Sequence, residues 1–276
     1  MMKLNKLNWH KGLFFIIAIS LNQNTIALDE LDCIIKPEKI IEISSATAGL
    51  LESVLVEKGD KVKKNQLLAH LHSEIEKANV KLAEIRANSK ANIMEKQARY
   101  QFNLHTQTRL ENLFKKKMIS ELERDEARTK TTIAQYELEQ AKVNYQLAQS
   151  ELKRAQEILK WRSIWSPIDG IVIEKIKSPG EYVHVVDEEP VLKLAKMDML
   201  YVEVIAPISM YDRIKKGMSA NVIPEAPIGS NYVAKVKIID PIMDAASGTF
   251  GIRLHLPNED YSILAGLRCR IEFIEN

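Results

Sequence analysis

From Ser73 to Trp161 the sequence runs for 89 positions without a glycine or a proline. Those two residues are the strongest breakers of regular helix, so a stretch of this length calls for long helices. Its second half carries a regular apolar spacing: Ala134, Leu138, Ala141, Tyr145, Ala148, Leu152, Ala155 and Leu159, alternately four and three apart. A seam of this kind, small residue alternating with large, is the a/d pattern of a coiled coil. Ile75, Ala78, Leu82 and Ile85 follow the same spacing in the first half before polar residues interrupt it. The pattern lapses at Lys115-Lys116-Lys117-Met118-Ile119. Ser120 then stands three positions before Glu123, a capping box that opens a new helix. The spacing predicts two antiparallel helices, about 73–116 and 121–160, each on the order of 60 Å long at about 1.5 Å per residue. No small globular core needs helices of that length, so the hairpin reaches toward something.

The segments flanking this insertion resemble each other. Gly49 and Gly59 lie ten apart, as do Gly170 and Gly180, with an aliphatic run between each pair. An acid and a valine follow the second glycine at one and three positions: Asp60 and Val62, then Glu181 and Val183. Short apolar runs, Leu67–Leu71 and Val191–Ala195, come next in each half. An internal repeat of this kind implies two strand-rich halves related by pseudo-symmetry. The glycines are expected at turns with positive φ or at close backbone approaches.

Alternation of apolar and polar residues dominates from Leu200 onward, in runs at 201–205, 219–223, 233–239, 251–256 and 269–274. Turn residues at Gly217, Gly229-Ser230, Ser247-Gly248 and Pro257-Asn258 separate them. Short strands at this spacing predict a small antiparallel barrel. Residues 208–216 have a helical pattern and are expected to cap it.

Charge excludes one class of partner. The chain has 39 Lys+Arg and 37 Asp+Glu, a net charge of +2. Three of the bases, Lys3, Lys6 and Lys11, lie in the first 28 positions, which contain no acid, so the rest holds 36 bases against 37 acids. No basic surplus gathers on one element, as a nucleic-acid binder would need. Those three lysines, the nine-residue apolar run Leu13–Leu21 and the small residues Thr25 and Ala27 read as an export signal, residues 1–27. Nine residues are too few to span about 30 Å of hydrocarbon as a helix. In an oxidising compartment Cys33 and Cys269, the two cysteines, either pair or remain two part-buried thiols.

With these residues in place, the chain resembles the periplasmic adaptor, or membrane fusion protein, family of export systems. The most specific part of the likeness is the split repeat, Gly49 and Gly59 against Ser166-Pro167-Ile168-Asp169-Gly170 and Gly180. The resemblance implies a mixed α+β, elongated protein. In it a long antiparallel coiled-coil hairpin is inserted in a biotinyl/lipoyl-like β domain, and a small antiparallel β-barrel follows. The corresponding boundaries are 38–72 and 162–198 for the lipoyl-like halves, 73–161 for the hairpin and 199–276 for the barrel. Hairpin tips in the family often carry Arg, Leu and Ser at the spacing of Arg109, Leu113 and Ser120. There the tip docks on an outer-membrane channel of the TolC type, so these three are the candidate partner-binding residues. The resemblance further implies an inner-membrane transporter of RND or ABC type as partner, a homo-oligomeric ring, and a place in the periplasm beside the inner membrane. Many members add a membrane-proximal domain built from both termini. About ten residues precede the first half-motif here, which leaves transporter contact to the barrel and lipoyl-like domain.

No catalytic or cofactor motif stands out. His70 and His72 share one side of an expected strand, but no third or fourth ligand accompanies them, so packed or surface histidines are expected rather than a metal site. Phosphate-loop, nucleophile-elbow and zinc-protease signatures are missing. Nine methionines are scattered along the chain and are assigned to the core. No enzyme activity, cofactor or metal is expected. Two other readings compete: an exported coiled-coil structural or adhesion protein, and a lipoyl or biotin carrier subunit. A carrier presents one lysine in a tight turn between its halves, and here the 89-residue insertion occupies that turn.

Overall fold

The computed structural model describes residues 30–185, 189–226 and 229–274, so the expected export signal (1–27) lies outside the described residues. The strands are β1 (Leu31–Ile43), β2 (Gly49–Val54), β3 (Lys61–Val62) and β4 (Leu67–Leu71), then β5 (Ser163–Trp165), β6 (Gly170–Lys175), β7 (Tyr182–Val183) and β8 (Leu192–Pro207). Between β4 and β5 stand three helices, α1 (Glu74–Asn88), α2 (Ala91–Lys115) and α3 (Glu121–Lys160). The remaining strands are β9 (Ser219–Pro224), β10 (Tyr232–Ile239), β11 (Thr249–Pro257) and β12 (Arg268–Phe273). Two compact units result: residues 37–200 with 257–265, and residues up to 36 with 201–256 and 266–276.

In the first unit one sheet has the order β5-β4-β2-β7, while β6 pairs with both β3 and β8. Its core is aliphatic and includes Leu51, Leu68, Leu71, Val172, Leu192 and Leu194, all fully buried. Each such side chain contributes about 1.5–3 kcal/mol relative to exposure. The two repeats hold each other by reciprocal main-chain bonds. Gly59 N–H donates to Val172 O (2.8 Å) and Val172 N–H to Asp60 O (3.0 Å). In the mirror arrangement, Gly180 N–H donates to Leu51 O (2.8 Å) and Leu51 N–H to Glu181 O (2.9 Å). Thus the glycine turn of each half clasps a strand of the other. The repeated acid and valine acquire a physical role here. Asp60 accepts from Glu57 N–H at 2.8 Å and Glu181 accepts from Ser178 N–H, closing each turn. Val62 and Val183 are buried below.

The insertion is a helical hairpin, antiparallel by its cross-links. Asn103 and Thr131, Lys96 and Glu137, and Ala87 and Gln149 meet as one arm runs out and the other returns. The face of α3 that packs inward is set by spacing. From 138 onward the seven inward or half-buried positions are Leu138, Ala141, Tyr145, Ala148, Leu152, Ala155 and Leu159. The same rhythm extends back through Ala134, Thr131 and Ala127 to Arg124.

Two features of the outgoing arm differ from the sequence reading. It is two helices rather than one, because Ser89 is extended (φ −80°, ψ 109°) and interrupts the helix with no glycine or proline nearby. Asn88 and Ser89 are weak helix formers whose side chains compete for backbone hydrogen bonds. The inward face also differs. Ile75, Leu82 and Ile85 are exposed, whereas Ala83 and Ala87 are buried with Glu76 and Val80 half-buried. Glu76 is fixed inward by its ion pair to Arg162 (2.6 Å), and small alanines permit close approach to α3.

In the second unit the strand order is β1-β12-β9-β10-β11-β8, and a further β1–β8 pairing closes the ring. Closure removes the exposed sheet edges that invite aggregation. Alternation buries Val202, Val204, Val222, Val236, Ile252, Leu254, Ile271 and Phe273 inside. The first strand enters this ring through Leu31–Ile34, paired with Ile271–Arg268. The expected helix at 208–216 is only a 3-10 turn, Ile208–Met210. Nine residues ending at Gly217 (φ 90°) do not offset the cost of helix nucleation.

Candidate functional site

The tip of the hairpin is built by two caps. The second helix ends in a Schellman motif: Met118 N–H donates to Leu113 O (3.0 Å) and Lys117 N–H to Phe114 O (2.8 Å). This closure requires a left-handed residue, and Lys117 supplies it at φ 56° where glycine is the low-energy choice. Three residues after Lys117, Ser120 opens α3. Its N–H donates to the Glu123 carboxylate (2.8 Å), while its hydroxyl accepts from Glu123 N–H (3.3 Å), a complete capping box. The Ser120 main-chain N–H and then its hydroxyl hold the Glu123 carboxyl below its ordinary pKa.

The structure brings Leu113 and Ser120 to the two sides of this turn, with Arg109 one helical turn back on the same face as Leu113. Arg109 and Ser120 are exposed and Leu113 is half-buried. Beneath them the Arg124 guanidinium stacks on the Phe114 ring, 4.4 Å from its centroid. It also pairs with Glu121 (2.7 Å) and Asp125 (2.8 Å). Sequence reasoning missed Arg124 because it stands on an otherwise apolar seam. Chemically, this end offers exposed cations, an apolar knob and a pre-ordered turn.

At the base, Arg162 ties the hairpin to the sheet. It donates to Ala48 O (2.8 Å) and to Glu76 (2.6 Å), the latter bridging to α1. Partial burial raises the Glu76 pKa, but its own backbone hydrogen bond and Arg162 outweigh this and leave the carboxyl low. The glycines sit in two kinds of place. Gly59 and Gly180 have φ of 97° and 92°. At Gly49 an added Cβ would meet Arg162 Nη1 at 2.7 Å, and at Gly170 the carbonyl oxygen of Ala195 at 2.5 Å.

Cys33 and Cys269 face each other across β1 and β12, Cα atoms 4.8 Å apart, joined as a disulfide. His70 contacts Ser163 Oγ at 3.2 Å, while His72 lies beyond the end of its strand. Among the described residues no group of three or more His, Cys, Asp or Glu is placed to hold a metal ion. No helix among them is long and apolar enough to cross a membrane.

Two family models match the chain: a CzcB-like barrel-sandwich hybrid domain over residues 39–195 and a CusB-like beta-barrel domain over residues 200–276. The chain belongs to the membrane fusion protein family. Macrolide export protein MacA of Yersinia pestis is 26% identical over 252 residues, covering 89% of this chain and 66% of that protein. A Haemophilus influenzae protein is 25% identical over 240 residues, covering 86% of this chain and 55% of its own length. The chain therefore spans just under two thirds of one relative and about half of the other. In fold it resembles MacA from Actinobacillus actinomycetemcomitans, with a TM-score of 0.75 at 20% identity over 89% of this chain and 77% of that one. The membrane fusion protein Spr0693 from Streptococcus pneumoniae R6 gives 0.63 at 14% identity, covering 90% of this chain and all of that one.

Proposed function

We propose that this membrane fusion protein is the periplasmic adaptor of a tripartite export pump, bridging an inner-membrane transporter of RND or ABC type to a TolC-type outer-membrane channel. The observation that carries this reading is the hairpin itself. An α3 of 40 residues, about 60 Å at 1.5 Å per residue, ends in a rigidly capped turn that displays Arg109, Leu113 and Ser120. The 3.5-residue rhythm along α3 supports a two-stranded coiled coil as the working form of the hairpin. Residues 1–27 serve export, 38–72 with 162–198 form the lipoyl-like domain, 73–161 the hairpin and 199–276 the barrel. In the periplasm, an oxidising compartment, the Cys33–Cys269 disulfide is kept.

What the hairpin leaves uncovered supports a ring of copies. Ile133, Tyr136, Val143 and Leu147 on α3, spaced three, seven and four apart, are between 54% and 70% exposed, and Ile75, Leu82 and Ile85 on α1 are exposed as well. Apolar stripes of this size on a soluble surface mark interaction faces, and neighbouring hairpins are their occupants. The protein has no catalytic step. Energy comes from the transporter, and macrolide export by the relative named MacA is consistent with such a role.

Affinity purification of the tagged full-length chain from its own cells tests the proposal. It is expected to recover a higher oligomer together with an inner-membrane transporter and an outer-membrane channel. Recovery of a monomer with neither membrane protein would overturn it.

A further inference from the structure

We infer that a hollow at the root of the hairpin binds a neutral, polyhydroxylated ligand, a saccharide. The site is independent of the docking reading above. Its floor is a polar row on one face of the four-stranded sheet. Ser53 on β2 lies opposite His70 on β4, and His70 lies opposite Ser163 on β5. Directly opposite side chains stand on the same face of a sheet, about 5 Å apart. His70 Nδ1 is 3.2 Å from Ser163 Oγ. The walls come from the two ends of the hairpin, Ser73 and Lys77 on one side, Gln156 and Lys160 on the other. The hollow measures about 760 Å³, the size of a small-molecule site.

A plainer origin for this hollow is the space left where two helices rise from a sheet, lined by solvated polar groups. Ser73 does not fit that origin. It is the N-cap of α1 and only 7% exposed, yet its side chain makes no capping bond and has no other hydrogen-bond partner among the described residues. Serine at this position ordinarily satisfies the first helical amides. A nearly buried hydroxyl is thus left without a protein partner, against local preference.

Charge then selects the class of ligand. Lys77 pairs with Glu74 (2.8 Å), and Glu52 stands against Lys160, so two bases face two acids. Glu74 and Glu76 already complement the positive end of the α1 dipole, which disfavours an anion there. What remains are hydroxyl, imidazole and amide groups that both donate and accept, the match for sugar hydroxyls. Trp165 follows two positions after Ser163 on the same face of β5 and is 44% exposed. Its ring offers an apolar surface to the C–H face of a pyranose.

The test titrates the purified full-length protein with maltotriose, cellotriose and chitotriose by calorimetry, up to about 10 mM, which reaches millimolar affinity. Ser73→Ala, Trp165→Leu and Gln156→Ala are compared with the wild type after thermal melts. Gln156 is exposed on α3, so its variant keeps the comparison decisive if either of the others melts early. Expected are millimolar or tighter binding of at least one trisaccharide and a loss of about fivefold or more in each folded variant. Binding of no trisaccharide would overturn the inference. Equal affinity of the wild type and every folded variant would also overturn it, since the sugar would then sit elsewhere. Inorganic phosphate binding more tightly than any trisaccharide, and lost in Ser73→Ala, would overturn it in favour of an anion at the start of α1.

Discussion

The side-chain amide of Gln149, on the returning helix, donates to the main-chain carbonyl of Ala87 at 2.5 Å, where the outgoing arm leaves the helical conformation. The contact fastens the break between α1 and α2 to the opposite arm. Gln149→Ala is expected to lower stability by about 1 kcal/mol, the net contribution of one such bond. Thermal denaturation reads the loss, and faster amide exchange around 87–92 assigns it to the break. Unchanged exchange there would show that the bond does not hold the arms.

Relief of strain gives an effect of opposite sign. Lys117→Gly at the left-handed position is expected to raise stability by about 1 kcal/mol, measured as a shift in denaturant midpoint without a change in slope.

Close packing at the second half-motif makes Gly170 intolerant of substitution. Gly170→Ala places a methyl group 2.5 Å from the Ala195 carbonyl oxygen, a main-chain atom that moves only with its strand. Destabilisation on the order of 1–3 kcal/mol is expected. Chemical denaturation of the variant checks it.

The disulfide closes a loop with a sequence separation of 236 residues and joins the first and last strands of the barrel. Reduction, or the Cys33→Ser and Cys269→Ser pair, is expected to remove about 2–5 kcal/mol. A melting temperature unaffected by reductant would show that strand pairing alone holds Leu31–Ile34 in place.

The cap at Ser120 confers a dependence on pH. The folded pKa of Glu123 lies below its unfolded value of about 4.3. Its contribution is therefore full above the unfolded pKa and is lost as pH falls through the lower, folded one. Glu123→Gln is expected to flatten the part of the acid titration of helicity that belongs to the start of α3. Helicity followed by circular dichroism below neutral pH provides the comparison.

Much of this architecture is legible before any coordinates, and the parts that are not have physical causes. Absence of glycine and proline over 73–161 marks the hairpin, and Ser120 with Glu123 marks its return, since both are strong local rules. The return seam can be read from Ala134 to Leu159 because its residues are apolar. It cannot be read at Thr131 or Arg124, where a hydroxyl bonded to Ala127 O and a stacked guanidinium take inward positions. The face of α1 eludes the pattern for the converse reason. Its larger aliphatics, Ile75, Leu82 and Ile85, lie outward while two alanines pack. Lys36, Pro37 and Lys39 break the alternation of the first strand, so its entry into the barrel gives no periodic signal. Conversely, Leu192–Pro207 is one strand although it reads as two. At the tip, the spacing of Arg109, Leu113 and Ser120 is visible in the sequence. The left-handed Lys117 is not, since lysine carries no preference for that conformation.

The most direct measurement is photo-crosslinking in living cells, with the reactive residue placed in turn at 109, 113 and 120. The adaptor reading predicts adducts with an outer-membrane channel at these three positions and none with probes at 148 or 155, which face the inner seam. Normal expression and export with no channel adduct at any tip position would contradict it.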